Sequence, residues 1–154
     1  MALQFISTGN GMAAIASDAA TNERGFMVKV KNGTGQISKK GMLVSASQAA
    51  DNEVILQTNE FDAFGVVVET GIAAGSDMWI WVNGSICQVM FEDGVKTTRG
   101  NICITSDIDG RADAILNPGS GLPAVETHFK ECGHVLQTVE AGTDILALVM
   151  IHFN

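Results

Sequence analysis

The sequence predicts an all-β protein, with two tandem related β modules forming a compact barrel- or sandwich-like body behind an irregular N-terminal arm. Three observations carry this: short runs of alternating apolar residues separated by turn residues, a near absence of helix signals, and one pattern of runs written twice. The first copy reads Gly41-Met42-Leu43-Val44-Ser45, then Gly65-Val66-Val67-Val68, the turn Ala74-Gly75-Ser76-Asp77 and Met78-Trp79-Ile80-Trp81-Val82. The second reads Gly100-Asn101-Ile102-Cys103-Ile104-Thr105, then Gly133-His134-Val135-Leu136, the turn Ala141-Gly142-Thr143-Asp144 and Ile145-Leu146-Ala147-Leu148-Val149. Gly100 follows Gly41 by 59 residues, Gly133 follows Gly65 by 68, and Gly142 follows Gly75 by 67. The order is kept, and the loop between the first two runs is longer in the second copy.

Residues 1–25 are rich in Ala, Ser, Gly and Asn and show no sustained period, so they are expected to form an arm that orders against a neighbour. A β domain follows over 26–154, with pseudo-repeats over about 26–91 and 92–154. Phe26, Val28 and Val30 alternate with Met27, Lys29 and Lys31 up to the turn Asn32-Gly33, the pattern of a half-buried strand. Further strands are expected at 42–45, 54–56, 65–69, 78–82, 85–91, 102–105, 133–139 and 145–153.

Asn83-Gly84 predicts a type I′ hairpin, because this dipeptide supplies two residues that tolerate positive φ. That turn would pair Trp81 with Ile86 and Trp79 with Gln88, placing Trp79, Trp81, Ile86 and Met90 on one face. Both faces of such a ribbon are apolar, so each tryptophan belongs either to a core or to a subunit contact. The segment 117–123 holds both prolines of the chain and is a loop inserted in the second repeat. Loops that break an internal symmetry are favoured places for contacts specific to one side. The candidate contact residues are therefore Phe5 and Ile6 in the arm, Trp79, Trp81 and Ile86 in the hairpin, and Asn117, Pro118, Leu122 and Pro123 in the loop.

Composition narrows the function classes. Nine Lys and Arg against 17 Asp and Glu give a net charge of −8, the wrong sign for a protein seated on phosphate backbones. No run approaches the roughly 20 apolar residues of a membrane-spanning helix, and the first residues lack the pattern of a signal peptide. Partners among nucleic acids and membranes are therefore not expected. Three cysteines, with no CxxC pair, fit reduced buried thiols. Charged residues make up only 17% of the chain, where about 25% is usual, so part of the surface is expected to meet another chain.

One segment could carry chemistry. In His128-Phe129-Lys130-Glu131-Cys132-Gly133-His134 an extended backbone would point His128, Lys130, Cys132 and His134 to one face, where histidine and thiol could share a metal or act as base and nucleophile. Only His152 or Cys103, distant in sequence, could complete a zinc site, and the repeat aligns Cys132 with Phe64, a position that calls for a buried apolar body. Structural histidines and cysteines are the expectation, with no catalytic residue, metal or cofactor. The loop Ser106-Asp107-Ile108-Asp109-Gly110-Arg111-Ala112-Asp113 alternates carboxylates as calcium loops do but lacks their closing Glu. It is expected to be a solvated turn.

Lys31-Asn32-Gly33-Thr34-Gly35, the stretch from Gly65-Val66-Val67-Val68-Glu69-Thr70-Gly71 to Gly75-Ser76-Asp77-Met78-Trp79, and His128 to His134 with the ending Ile151-His152-Phe153-Asn154 resemble small head-decoration, or capsid cement, proteins of tailed bacteriophages. The resemblance covers roughly 26–154. It implies a non-enzymatic virion protein that binds the major capsid protein on the outer capsid surface, commonly as a homotrimer at local threefold positions, after synthesis in the host cytoplasm. It also implies a role in stabilising the head against internal pressure. A tail or head-to-tail component is the alternative within the virion, and a small β-barrel enzyme or metal-binding protein the alternative outside it.

Overall fold

The computed structural model describes residues 4–8, 12–58, 62–119 and 125–153, with backbone alone for 5–8 and 126. Among these, β1 (Gln4–Thr8), β2 (Ala13–Asp18) and β3 (Glu23–Asn32) are followed by β4 (Leu43–Ala46), β5 (Glu53–Leu56), β6 (Gly65–Val67) and β7 (Asp77–Trp81). Then come β8 (Ile86–Met90), β9 (Ile102–Thr105), β10 (Ala112–Ile115), the six-residue helix α1 (Val125–Lys130), β11 (Glu131–Val135) and β12 (Leu146–Ile151). The all-β class is as the sequence predicts.

The strands close into rings. β3 pairs with β7, β7 with β6, β6 with β4, β4 with β5, and β5 returns to β3 through the short parallel contact Lys31–Glu53 and Asn32–Val54. The second set repeats this order: β8 pairs with β12, β12 with β11, β11 with β9, and β9 with β10. Its closing contact is the parallel bridge Phe91–Ala112. The body is thus two small five-strand barrels in series, and by pairing β8 is the counterpart of β3, although the sequence reading groups 85–91 with the first repeat.

The correspondence extends to single hydrogen bonds. Gly41 N–H donates to Val67 O at 2.9 Å, and Gly100 N–H to Val135 O at 2.9 Å. Ser38 Oγ donates to Glu69 O (2.8 Å) and accepts from Ile72 N–H (2.9 Å), while Thr97 Oγ1 donates to Gln137 O (2.9 Å) and accepts from Val139 N–H (3.0 Å). Gly65 and Gly133 face the same constraint. A Cβ on Gly65 would lie 2.9 Å from the Trp81 carbonyl oxygen, and one on Gly133 would collide with the carbonyl oxygen of Met150. Only a residue without a side chain lets the two strands approach this closely.

Each barrel has an apolar interior. Val30, Val44, Val54, Val67, Met78 and Ile80 form one buried cluster, and the second barrel's counterparts Val89, Cys103, Ala112, Val135, Ala147 and Val149 lie in another. That second cluster continues over Met27, Leu43, Val66, Val68 and Trp81 of the first barrel and over Ala14 and Ala16 of β2. The barrels are tied where Met90 N–H donates to Gly41 O (2.8 Å) and Leu43 N–H to Gly110 O (2.9 Å). Nearby, the buried Glu23 carboxylate accepts from Gln88 N–H (2.9 Å) and Thr21 Oγ1 (2.7 Å) and pairs with Lys40. Each oxygen of this enclosed charge has a partner, as burial demands.

Several expectations are corrected. Residues 4–8 and 13–18, read as part of an irregular arm, are paired strands, with Ala14 and Ala16 buried against β3 while Ala13 and Ile15 face out. β10 and α1 are additional elements. The turn at Asn83-Gly84 forms, with Ser85 N–H donating to Val82 O at 3.2 Å, but β7 pairs with β3 and β6, and β8 with β12 and β3. Gly84 has φ +84° while Asn83 keeps negative φ, so the turn has the single left-handed residue of a type II turn. Such a turn splays its flanking strands where type I′ would pair them. Asn83 is used otherwise: its Oδ1 accepts from Phe153 N–H (2.5 Å) and its Nδ2 donates to Phe153 O (3.3 Å), tying down the segment after β12.

Candidate functional site

Two regions of the second barrel stand out. One is the His128–His134 segment, which the structure does not extend throughout. His128 and Lys130 lie on α1, and β11 begins at Glu131. The β11–β9 register shifts between Glu131 and Gly133, and Gly133 sits at φ +151°. An irregularity of this kind re-aims side chains. Cys132 turns inward, with its Sγ 3.1 Å from that of Cys103, while His134 faces out. Cys132 and His134 therefore do not share a face, and the expected pairing of thiol with imidazole is not made. Phe64, the counterpart of Cys132, is 44% exposed, so the two positions do not share one demand for burial.

All three cysteines are buried. Desolvation pushes the Cys87 and Cys103 thiols well above the usual thiol range, the neighbouring Glu23 adding to it for Cys87 and the Cys132 hydrogen bond for Cys103. Protonated, enclosed thiols are poor nucleophiles.

In place of cysteine, a carboxylate joins the histidines. Glu131 Oε1 lies 3.3 Å from His152 Nε2 and 3.7 Å from His134 Nε2, and its Oε2 lies 3.7 Å from His128 Nδ1. The His134 and His152 rings are 4.9 Å apart between centroids. The β11–β12 pairing brings them together: His134 lies opposite Met150, and His152 N–H donates to Cys132 O at 3.2 Å. The sequence offers His152 as a possible partner, but Glu131 is missed because a break in strand register cannot be read from spacing. Two carboxylates of the 106–113 loop serve elsewhere: Asp107 pairs with Lys130 at 3.6 Å, and Asp113 Oδ1 accepts from Ala114 N–H.

The other region is apolar surface. On the first barrel, Val66, Val68 and Trp81 are enclosed; their counterparts on the second, His134, Leu136 and Met150, face outward, Met150 being 48% exposed. Leu116, Val125 and Phe129 are also strongly exposed. On the other barrel a recess of about 430 Å³ has a mixed lining, with Val28, Val30, Val54 and the half-exposed Phe64 beside Asp51 and Glu53.

The expected contact residues divide. Asn117 and Pro118 are exposed, whereas Leu122 and Pro123 lie outside the described residues. Phe5 and Ile6 lie on β1, where Phe5 pairs with Ala16, and their side chains are outside the description. Ile86 and Trp79 are half-buried, with Lys29 Nζ 5.1 Å from the Trp79 ring centroid. Trp81 is corrected: at 0% exposure it is a core residue and offers no surface to a partner.

No protein-family model matches the chain, and no curated protein matches it in sequence. Among solved structures it is similar in fold to the N base of the head fiber gp8.5 of bacteriophage phi29, with 14% sequence identity and a TM-score of 0.50. The likeness covers 82% of this chain and 92% of that one.

Proposed function

We infer that the chain is a structural virion protein of a tailed bacteriophage that binds the outside of the head, most directly the major capsid protein, and stabilises it as a decoration or cement protein. The observation that carries this reading is the likeness of fold to the head fiber base, which covers 82% of this chain and 92% of that one. Three further features support it. The charge of −8 would be repelled by packaged DNA and suits an outward-facing location. The exposed apolar side chains of the second barrel supply area that association would remove from water. The thiols, the strongest nucleophile candidates in the sequence, are enclosed, and burial holds those of Cys87 and Cys103 protonated, which favours a scaffold over an enzyme.

A trimer at local threefold positions is the assembly proposed, with each specific interface expected to bury at least about 1,000 Å². Sedimentation of the purified protein, alone and mixed with empty heads, tests this: association with heads is expected, and a monomer in both conditions would refute it. Because the neighbour is a fiber base, a second reading has this body anchoring a projection from the head. Counting copies per particle by mass spectrometry separates the two. Hundreds favour cement, a few tens an anchor.

A further inference from the structure

We propose that Glu131, His134 and His152 form a binding site for one divalent transition-metal ion, with zinc the ion the donor set fits. Two imidazole nitrogens and one carboxylate oxygen are a donor set that zinc accepts, with bonds of about 2.0 to 2.2 Å. Ligand atoms at the corners of a tetrahedron of that size stand about 3.3 Å apart. The distances here are 3.3 Å for Oε1 to His152 Nε2 and 3.7 Å for Oε1 to His134 Nε2, and the three donor atoms all lie within 4.8 Å of one another. Small side-chain rotations bring such a set onto one ion.

The surroundings favour an ion as well. Only 10% of the Glu131 side chain is exposed, and a carboxylate so enclosed requires compensating positive charge. A divalent ion would supply it. His128 Nδ1 lies 3.7 Å from Oε2, the carboxylate oxygen not shared with the other two imidazoles, so it would stand outside the coordination sphere. These are all three histidines of the chain. In the first barrel the positions of Glu131, His134 and His152 are taken by Ala63, Val66 and Asn83, so the barrel itself does not require the cluster. The half-exposed histidines leave the fourth position to water. The ion would clasp β11 to the residue after β12.

Isothermal titration of the full chain with zinc(II) alone tests this. One ion per chain is expected, with a raised thermal midpoint. His134→Ala and His152→Ala, each checked for folding by circular dichroism, should weaken binding about tenfold or more, while Cys103→Ala leaves it unchanged. Cobalt(II) in the same site should give the visible spectrum of a tetrahedral nitrogen and oxygen complex without thiolate charge transfer. Absence of saturable binding, binding that survives both histidine substitutions in folded protein, or a thiolate signature would each overturn the site.

Discussion

Trp79 and Trp81 stand two residues apart on β7 and meet different surroundings. Trp81 is enclosed in the cluster that runs from the first barrel into the second, whereas Trp79 is half-buried beneath the Lys29 ammonium. Parity along a strand predicts that they share a side, and it cannot say how far cover extends along that side. Trp81→Ala should cost about 3 to 5 kcal/mol of stability, the range for emptying a buried aromatic site. Trp79→Ala should cost clearly less, because its ring gives up less buried area. Urea unfolding of the two variants measures both, and equal costs would contradict the burial described. The same limit applies at Cys132. Its alternation with His134 is legible in the sequence, but the shift in register that turns it toward Cys103 is not.

At the scale of elements, the repeated glycines bear the most weight. Gly65 and Gly133 are where β6 and β11 approach β7 and β12 too closely for a Cβ, and Gly133 also sits at φ +151°. Gly133→Ala should therefore combine backbone strain with a collision against Met150 and cost about 3 kcal/mol. Gly100→Ala, at φ +91° but in open space, should cost only the strain, about 1 kcal/mol. Comparing their unfolding midpoints checks the difference. Strands built from Val, Ile, Leu and Trp are legible because they form continuous apolar runs bounded by turn residues, as in β7 and β12. β2 escaped because its inward positions are Ala14 and Ala16, whose small side chains give alternation little contrast, and β10 escaped for the same reason at Ala112 and Ala114. The six residues of α1 are fewer than two turns of helical period. Asn83-Gly84 predicts a hairpin because the dipeptide tolerates two positive φ values, but tolerance does not compel both.

For the whole molecule, duplication creates an imbalance. Both barrels carry the same outward positions on their sixth-and-seventh and eleventh-and-twelfth strands, but only the first barrel's set, with Val66, Val68 and Trp81, is covered within the chain. The second barrel's set, with His134, Leu136 and Met150, remains open, and Phe129 of α1 is exposed on the same barrel. If the chain binds phage heads as proposed, this face is the place to bury apolar area, and the exposed Leu116, Asn117 and Pro118 extend the available surface. Leu136→Lys combined with Met150→Lys should leave the unfolding midpoint nearly unchanged, since substitutions of exposed side chains usually shift stability by no more than about 0.5 kcal/mol each. Head binding should fall by tenfold or more, because a desolvated lysine in an apolar contact costs on the order of 2 kcal/mol. As a control on the other barrel, Phe64→Lys beside the recess at Val28 and Val54 should leave head binding intact. Co-sedimentation of the two folded variants with empty heads decides between the faces. Loss of binding only in the Phe64 variant would move the contact to the first barrel.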